Sequence, residues 1–437
     1  MAEPLKVGLA GLGTVGSAVI ELLEHERDKL VARCGRPIEV VAVTARSRGK
    51  KRGIDLKKVR WAADPVELAG DPGIDVLVEV IGGAGDPAKQ AVETALAAGK
   101  PVVTANKALL AAYGHKLARL AERKQAALNF EASVAGGIPI VKTLREGLNG
   151  NSFTRIYGIL NGTCNYILSR MEDERISFED CLREAQRLGY AEADPTFDIE
   201  GHDTAQKLSI LASLAFGTKV DQAAVYVEGI SSISLADLDA AAELGYRVKL
   251  LGVAVRTEAG IEQRVHPTMV PKDSAIAQVM GVTNAVTVDA DGLSPITLVG
   301  PGAGGMATAS AVVSDLADIA RGVRTPPFGQ PAARMKTVRK APMLRHEGGY
   351  YIRLMARDRP GSAATIARRL AQRQISLESI VQRHQGRSPE AGKSGEPVPV
   401  ILITYATSED AVHKALAAVR RDRVISGRPQ VIRIEKN

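Results

Sequence analysis

Between Ala185 and Lys207 the chain reads AQRLGYAEADPTFDIEGHDTAQK. Five carboxylates, Glu192, Asp194, Asp198, Glu200 and Asp203, crowd around one proline and two glycines, and Lys207 follows four residues after the last of them. Like charges at this density repel one another unless a cation neutralises them. The amino group of a small polar substrate would do so. A helix starting near His202 sets Asp203 and Lys207 at i and i+4 on one face, where a carboxylate and an ammonium can converge on one ligand. Taken alone, such a pair also describes an ordinary salt bridge on a helix surface. The neighbouring carboxylates favour a site.

Such chemistry needs elements to hold its reactants. Leu5–Ala10 (LKVGLA) is an apolar run that leads directly into GLGTVG. Val19, Leu22, Leu23 and Leu30 then recur at helical spacing, so one helix is expected from Val15 to about Val31. Strand, glycine turn and helix in this order form a dinucleotide fingerprint. Gly11 permits the tight turn, Gly13 lets a pyrophosphate approach the backbone, and Gly16 lets helix pack on strand. Leu12, Thr14 and Val15 belong to the same cofactor loop, and the pyrophosphate sits on the helix N-terminus.

The alternation of strand and helix continues. Ile38–Thr44 is the second strand and ends in Ala45-Arg46-Ser47-Arg48, with no acidic residue for a ribose 2′-hydroxyl. Arg46 suits a 2′-phosphate, because a guanidinium binds phosphate bidentately. NADP is therefore expected over NAD, against the plainer reading of a solvated basic loop. Ile74–Ile81 is a third strand running into Gly82 and Gly83, and Asp86–Ala98 is a helix. Pro101–Ala105 is a fourth strand, after which Lys107 opens a helix over Ala108–Lys124. Ligands of open α/β sheets bind beyond the carboxyl ends of the strands, which puts Thr104 and Lys107 at the site. Leu128–Val134 is expected as a further strand, followed by AGGIPI, whose irregular backbone offers carbonyls to a cation.

Farther on, Phe153–Leu160 alternates as a half-buried strand, and Thr163 is the expected N-cap of the next helix. Short strands are expected at Gly260–His266 and Ala285–Val288. The segment Val299–Gly322 begins glycine-rich and ends amphipathic. It reads as a helix returning to the first domain, with Gly304 near the cofactor. From Tyr350 the pattern is βαββαβ. Its strands are Tyr350–Arg357, Ile375–Arg383, Val400–Ala406 and Gln430–Ile434, and its helices are Ser362–Gln374 and Ser408 to about Arg420.

With 437 residues the chain has room for about three domains. The expected division is a dinucleotide-binding domain over 1–150, completed by a returning helix at about 303–325. A substrate-binding and dimerisation domain over 151–302, a linker over 326–348 and a C-terminal domain over 349–437 follow. The hydrophobic fraction of 45% and charged fraction of 24% are those of a globular protein. Three cysteines, Cys34, Cys164 and Cys181, are too scattered for a disulfide framework or a zinc site. With no signal peptide or apolar span in view, a cytoplasmic protein that engages no membrane is expected. The net charge of +8 raises the question of nucleic acid, but the basic residues are dispersed and aromatics are only 4%, so nucleic acid is not an expected partner.

Together these features resemble the single-function homoserine dehydrogenases that carry a C-terminal ACT domain. The resemblance rests on Ala185, Gly189, Tyr190, Ala191, Asp194, Pro195, Asp198, Ile199, Gly201, Asp203 and Lys207, on GLGTVG, and on EVIGG (Glu79–Gly83), TANKALLA (Thr104–Ala111) and NGTCNYIL (Asn161–Leu168). It implies an α/β fold of Rossmann-type, α+β and ferredoxin-like ACT domains. The implied reaction is NAD(P)-dependent interconversion of L-homoserine and L-aspartate 4-semialdehyde, in threonine, methionine and isoleucine biosynthesis. It also implies Lys207 as general acid/base, with Lys107 and Asp203 beside it and Glu192, Gly189, Asp198 and Asp203 around the substrate. A sodium ion on main-chain oxygens at Glu131, Val134, Gly136 and Ile138, a homodimer or homotetramer, and L-threonine as effector complete the implied set. No kinase domain precedes the fingerprint, as expected for the single-function type. Two alternatives stand beside this reading: another NAD(P)-dependent dehydrogenase of a small amino or hydroxy acid, and a catalytically inactive amino-acid sensor.

Overall fold

The computed structural model describes residues 2–337, 339–341, 343, 346–382 and 397–435. Six parallel strands form the first sheet: β1 Leu5–Ala10, β2 Ile38–Thr44, β3 Arg60–Trp61, β4 Val76–Glu79, β5 Val102–Thr104 and β6 Leu128–Asn129. Their spatial order is β3-β2-β1-β4-β5-β6, so the chain reverses direction between β1 and β4. Ala10 and Glu79 end those two strands on either side of the reversal, where open α/β sheets bind ligands. The fully buried Val7, Leu9, Val76, Val78 and Val103 face the helices Thr14–His25 and Gly305–Ala320. The second of these is the expected return, and it packs on the first helix through Val312 and Leu316.

The short strand Arg60–Trp61 and the helix Pro65–Gly70 were not expected from the sequence, and two expected elements of this half take another form. The expected helix from Val15 to Val31 breaks at Glu26 into Thr14–His25 and Arg27–Cys34. The second piece buries no residue, so packing does not hold it on the axis of the first. The expected strand Leu128–Val134 keeps only Leu128–Asn129, then becomes a 3₁₀ turn at Glu131–Ser133. Glu131 is responsible: its backbone N–H donates to Asp315, and its buried carboxylate accepts from the N–H groups of Val141 and Lys142. These bonds draw the chain off the ladder.

The rest of the chain builds one eleven-stranded sheet. Phe153–Ile159, Tyr246–Thr257, Gly260–Pro271, Thr283–Ala290 and Leu293–Pro301 belong to the middle of the chain. Ile425–Ile434, Glu347–Arg357, Pro397–Thr404 and Leu377–Gln382 belong to its end. The C-terminal βαββαβ therefore forms as read, with helices Ser362–Ala371 and Glu409–Arg421. Its third strand starts earlier than expected, at Pro397, and Arg383, the expected last residue of its second strand, lies outside the described residues. Within this sheet the middle and C-terminal strands join through a short parallel pairing, Thr268 with Arg433 and Met269 with Ile434. No helix among the described residues is long and apolar enough to cross a membrane.

Candidate active site

Asp203 and Lys207 lie in the opening turns of the helix His202–Phe216, directly after Gly201, which adopts φ +83°. Both side chains are buried under the acidic loop, with 5% and 11% of their surfaces exposed. Lys207 Nζ donates to Asp203 Oδ2 at 2.7 Å and to the Leu160 carbonyl at 2.7 Å. The other carboxylate oxygen, Oδ1, lies 3.0 Å from Lys107 Nζ. Lys107 begins the helix Lys107–Arg123, so the two halves of the molecule meet at one carboxylate. Burial alone would raise the Asp203 pKa. The ammoniums of Lys207 and Lys107, with hydrogen bonds from Lys207 and Asn161, outweigh burial and hold the carboxyl well below its ordinary range.

Asp198 stands beside this pair. Asn161 Nδ2 donates to Asp198 Oδ1 at 2.8 Å and to Asp203 Oδ2 at 2.9 Å, clamping two carboxylates that would otherwise repel. Burial and the charge of Asp203 push the Asp198 pKa up, against the Asn161 bond and the two lysines. Asn161, rather than Thr163, is the N-cap of the helix Gly162–Glu174: its Oδ1 accepts from Cys164 N at 2.9 Å. A flexible Thr hydroxyl was the wrong choice because Thr163 already lies inside the first turn, where it donates to the Tyr190 carbonyl at 2.6 Å and ties down the acidic loop. Glu192 and Gly189 lie exposed on that loop, Gly189 with φ +77°, and among the described residues the Glu192 carboxylate forms no hydrogen bond or ion pair with the Asp203 cluster.

Lys107 is placed by a network that the sequence reading did not single out. Glu79, fully buried at the end of β4, accepts from Ile81 N, from Gly82 N and from Thr104 Oγ1. Thr104 Oγ1 in turn accepts from Asn106 N at 3.0 Å. Asn106 caps the Lys107 helix and donates to the Gly83 carbonyl at 2.7 Å. The available signal was Glu79 itself, a carboxylate in an otherwise apolar strand, which must be hydrogen-bonded if buried.

A cavity of ≈ 250 Å³ opens between these parts, with Gly82, Lys107, Gly136, Lys207 and Ala303 on its walls. Roomier clefts of ≈ 440 and ≈ 590 Å³ lie elsewhere, but neither is lined by this cluster. Two helix N-termini approach it, behind Gly13 and Gly304, and neither cap is filled by a side chain. They are in contact: a Cβ on Gly305 would lie 2.9 Å from Thr14 Cγ2. At Gly16 a Cβ would fall 2.0 Å from the Gly11 carbonyl oxygen, so close approach demands glycine there. Open amides on two converging helices fit the pyrophosphate of a dinucleotide. Arg46 is exposed, while Arg52 Nε donates to the Leu12 carbonyl at 3.0 Å and folds the basic loop toward the glycine turn.

Beyond Glu131, the turn carries Ala135 at φ +56° and Gly136 at φ +46°. Among the described residues the carbonyls of Val134 and Gly136 accept no hydrogen bond, whereas those of Glu131 and Ile138 accept from Val134 N and Ile140 N. Free carbonyls on a bent backbone are a donor set of the hard-cation kind. No group of three or more His, Cys, Asp or Glu able to hold a metal occurs among the described residues. Burial and the nearby Asp315 push Glu131 up to about 7.

Comparison with known proteins agrees along the whole chain. Residues 139–317 match the family model of homoserine dehydrogenase, residues 11–131 match the homoserine dehydrogenase NAD-binding domain, and residues 350–423 match the ACT domain. A homoserine dehydrogenase of Neisseria gonorrhoeae is 43% identical over 439 residues, 99% of each chain. The crystal structure of a homoserine dehydrogenase from Thiobacillus denitrificans superposes with a TM-score of 0.92 at 44% identity, covering 99% of this chain and 98% of that one. A hyperthermophilic archaeal homoserine dehydrogenase in complex with NADPH is 29% identical, with a TM-score of 0.62, and covers 72% of this chain and 97% of its own.

Proposed function

The chain belongs to the homoserine dehydrogenase family, and from that membership we propose how its own residues divide the reaction among themselves. It is an oxidoreductase acting on a CH–OH group with a nicotinamide cofactor. Interconverting L-homoserine and L-aspartate 4-semialdehyde moves a hydride at the carbon bearing the side-chain oxygen and a proton at that oxygen. A bound nicotinamide gives or takes the hydride. Lys207 handles the proton: in reduction an N–H bond of its ammonium breaks as the alkoxide gains an O–H bond, an assistance worth about 10²–10⁴-fold. Asp203 holds Lys207 and Lys107 in place. Asp198 receives the substrate's α-ammonium, and Glu192 and Gly189 belong to the same substrate loop.

Gly11, Leu12, Gly13, Thr14, Val15 and Gly16, with Thr104, Lys107 and Gly304, would hold the cofactor. Arg46 favours NADP over NAD, a preference supported by the archaeal relative's NADPH complex. The free carbonyls of Val134 and Gly136 support a sodium ion held with main-chain oxygens of Glu131 and Ile138. The domain boundaries given above, a homodimer or homotetramer, and L-threonine as effector of the ACT domain are part of the same reading. An inactive sensor is not favoured, because it would have no use for a buried carboxylate shared by two lysines.

One observation carries this reading: the Asp203 carboxylate is hydrogen-bonded by Lys207 and ion-paired by Lys107, and both lysines line a cavity. The test is NADPH consumption with L-aspartate 4-semialdehyde, wild type against Lys207→Ala. Turnover falling by about 10²–10⁴-fold in a folded, cofactor-binding variant supports the assignment. Undiminished turnover removes Lys207 from the mechanism.

A further inference from the structure

The C-terminal domain meets the substrate half of the molecule through a buried guanidinium. Arg433, on the strand Ile425–Ile434, has only 3% of its side chain exposed. Its Nε donates to Glu409 Oε2 at 3.0 Å and one terminal nitrogen to Glu409 Oε1 at 2.5 Å. The other terminal nitrogen crosses the domain boundary and donates to Glu228 Oε2 at 2.9 Å. Tyr350 Oη also donates to Glu409, at 2.9 Å, and the Tyr226 ring stacks against the guanidinium with 5.3 Å to its centroid.

Glu228 belongs to a segment laid along the end of the acidic loop. Ile230 N donates to the Ile199 carbonyl at 2.8 Å, and Ser231 Oγ to Glu200 Oε1 at 2.7 Å. No side chain separates the two backbones: a Cβ on Gly229 would lie 2.4 Å from the Ile199 oxygen and 2.5 Å from Glu200 Cα. On the other side, a Cβ on Gly201 would lie 3.2 Å from Val227. Ile199–Gly201 is the turn that separates Asp198 from Asp203. A continuous path of direct contacts thus runs from Glu409 in the C-terminal domain, through Arg433 and Glu228, to the two carboxylates of the site.

As a mere adhesive between domains, an ion triad whose guanidinium and Glu409 carboxylate are buried is a poor choice, since apolar residues of similar volume commonly stabilise as well or better. Its advantage is geometric, because a guanidinium with fixed partners admits few arrangements. We propose that the Arg433–Glu228 pair is a positioning device, by which the C-terminal domain sets the Ile199–Gly201 turn and hence the spacing of Asp198 and Asp203 that receives substrate. Neither residue touches substrate or cofactor. The inference rests on the site assignment made above.

The experiment uses the full-length chain with Glu228→Gln, a mild change at a side chain that is 30% exposed. Steady-state kinetics with L-aspartate 4-semialdehyde are paired with calorimetric titration of L-homoserine into the NADPH-loaded enzyme, a combination that cannot turn over. The expected result is a rise of about three- to tenfold in both KM and the homoserine Kd, with kcat and NADPH affinity within about twofold of wild type. Arg433→Lys should behave alike, and the double variant should be no worse than the worse single one, as coupled residues require. Unchanged KM and Kd in Glu228→Gln overturn the proposal, as does an equal loss of NADPH affinity, which marks general loosening. Failure of the site assignment reads differently: Lys207→Ala then keeps full turnover, and the proposal falls with the site it serves.

Discussion

Replacing Asp203 by Asn removes one negative charge from between two ammonium groups while keeping the size of the side chain. Its oxygens lie 2.7 Å from Lys207 Nζ and 3.0 Å from Lys107 Nζ. At an effective dielectric of about 20, each contact represents about 6 kcal/mol of gross attraction. Desolvation of the ions and repulsion between the two ammoniums cancel much of this, and losing one member of a buried set costs about 3–5 kcal/mol. The two lysines do not share the cost equally. Lys107, with 34% of its side chain exposed, can turn to water; Lys207, with 11%, keeps only the Leu160 carbonyl. In the NADPH-consumption assay, kcat/KM of Asp203→Asn is expected to fall by about 10²–10⁴-fold. Acid melting supplies a second check. The folded Asp203 carboxyl is depressed below its ordinary 3.8, so the stability it contributes is present above 3.8 and is lost as pH falls through the lower folded value. Melting temperatures of wild type and variant should therefore converge below about pH 4. A kcat/KM within about threefold of wild type, or a melting gap that persists unchanged into acid, would refute the reasoning.

Two further outcomes concern the cofactor half. Gly16→Ala forces a methyl group toward the Gly11 carbonyl, where an undisturbed Cβ would sit at 2.0 Å. Overpacking of that kind costs about 1–3 kcal/mol, so NADPH titration followed by fluorescence should show Kd raised about 5- to 100-fold. Arg46→Ala should raise KM for NADPH about tenfold and leave KM for NADH unchanged, because only the 2′-phosphate engages the guanidinium. Equal changes with both cofactors would mean that Arg46 does not read the phosphate.

The features legible in the sequence were those that local chemistry decides. Gly11, Gly13 and Gly16 after an apolar run admit few conformations other than the turn they form, and β1, β2, β4 and β5 follow from apolar stretches with glycine or polar ends. Asp203 and Lys207 were legible because i,i+4 spacing on a helix fixes their proximity. What escaped was decided by partners distant in sequence. Asn161 was legible only as the first residue of NGTCNYIL, and its bonds to Asp198 and Asp203 need those residues folded over it, 37 and 42 residues later. Leu128–Val134 has strand composition, but Asp315 and the amides of Val141 and Lys142 claim Glu131 first. The joining of the middle and C-terminal strands into one sheet is set by only two parallel residue pairs, Thr268 with Arg433 and Met269 with Ile434, too short a contact for any periodicity to announce.

The two central carboxylates differ in how fully their charge is already met, and this difference supports separate roles for them. Asp203 has two ammoniums and an amide upon it, and its carboxyl is depressed; another cation would gain little there. Asp198 has the amide of Asn161 but, among the described residues, no ammonium ion-paired with it, and its carboxyl is pushed up. A carboxylate raised by burial and by a like charge is one whose ionised form is under-compensated, and a cation placed beside it gains what that environment lacks. A substrate ammonium settling on Asp198 would relieve its repulsion with Asp203 without disturbing the lysines that Asp203 holds. Asn161, bonded to both, keeps them near enough to share one ligand and prevents the emptier one from swinging away. On the proposed assignment the density of acid in the loop would serve a sequence of tasks, with one carboxylate fixing the proton donor and the next receiving the amino group of the substrate.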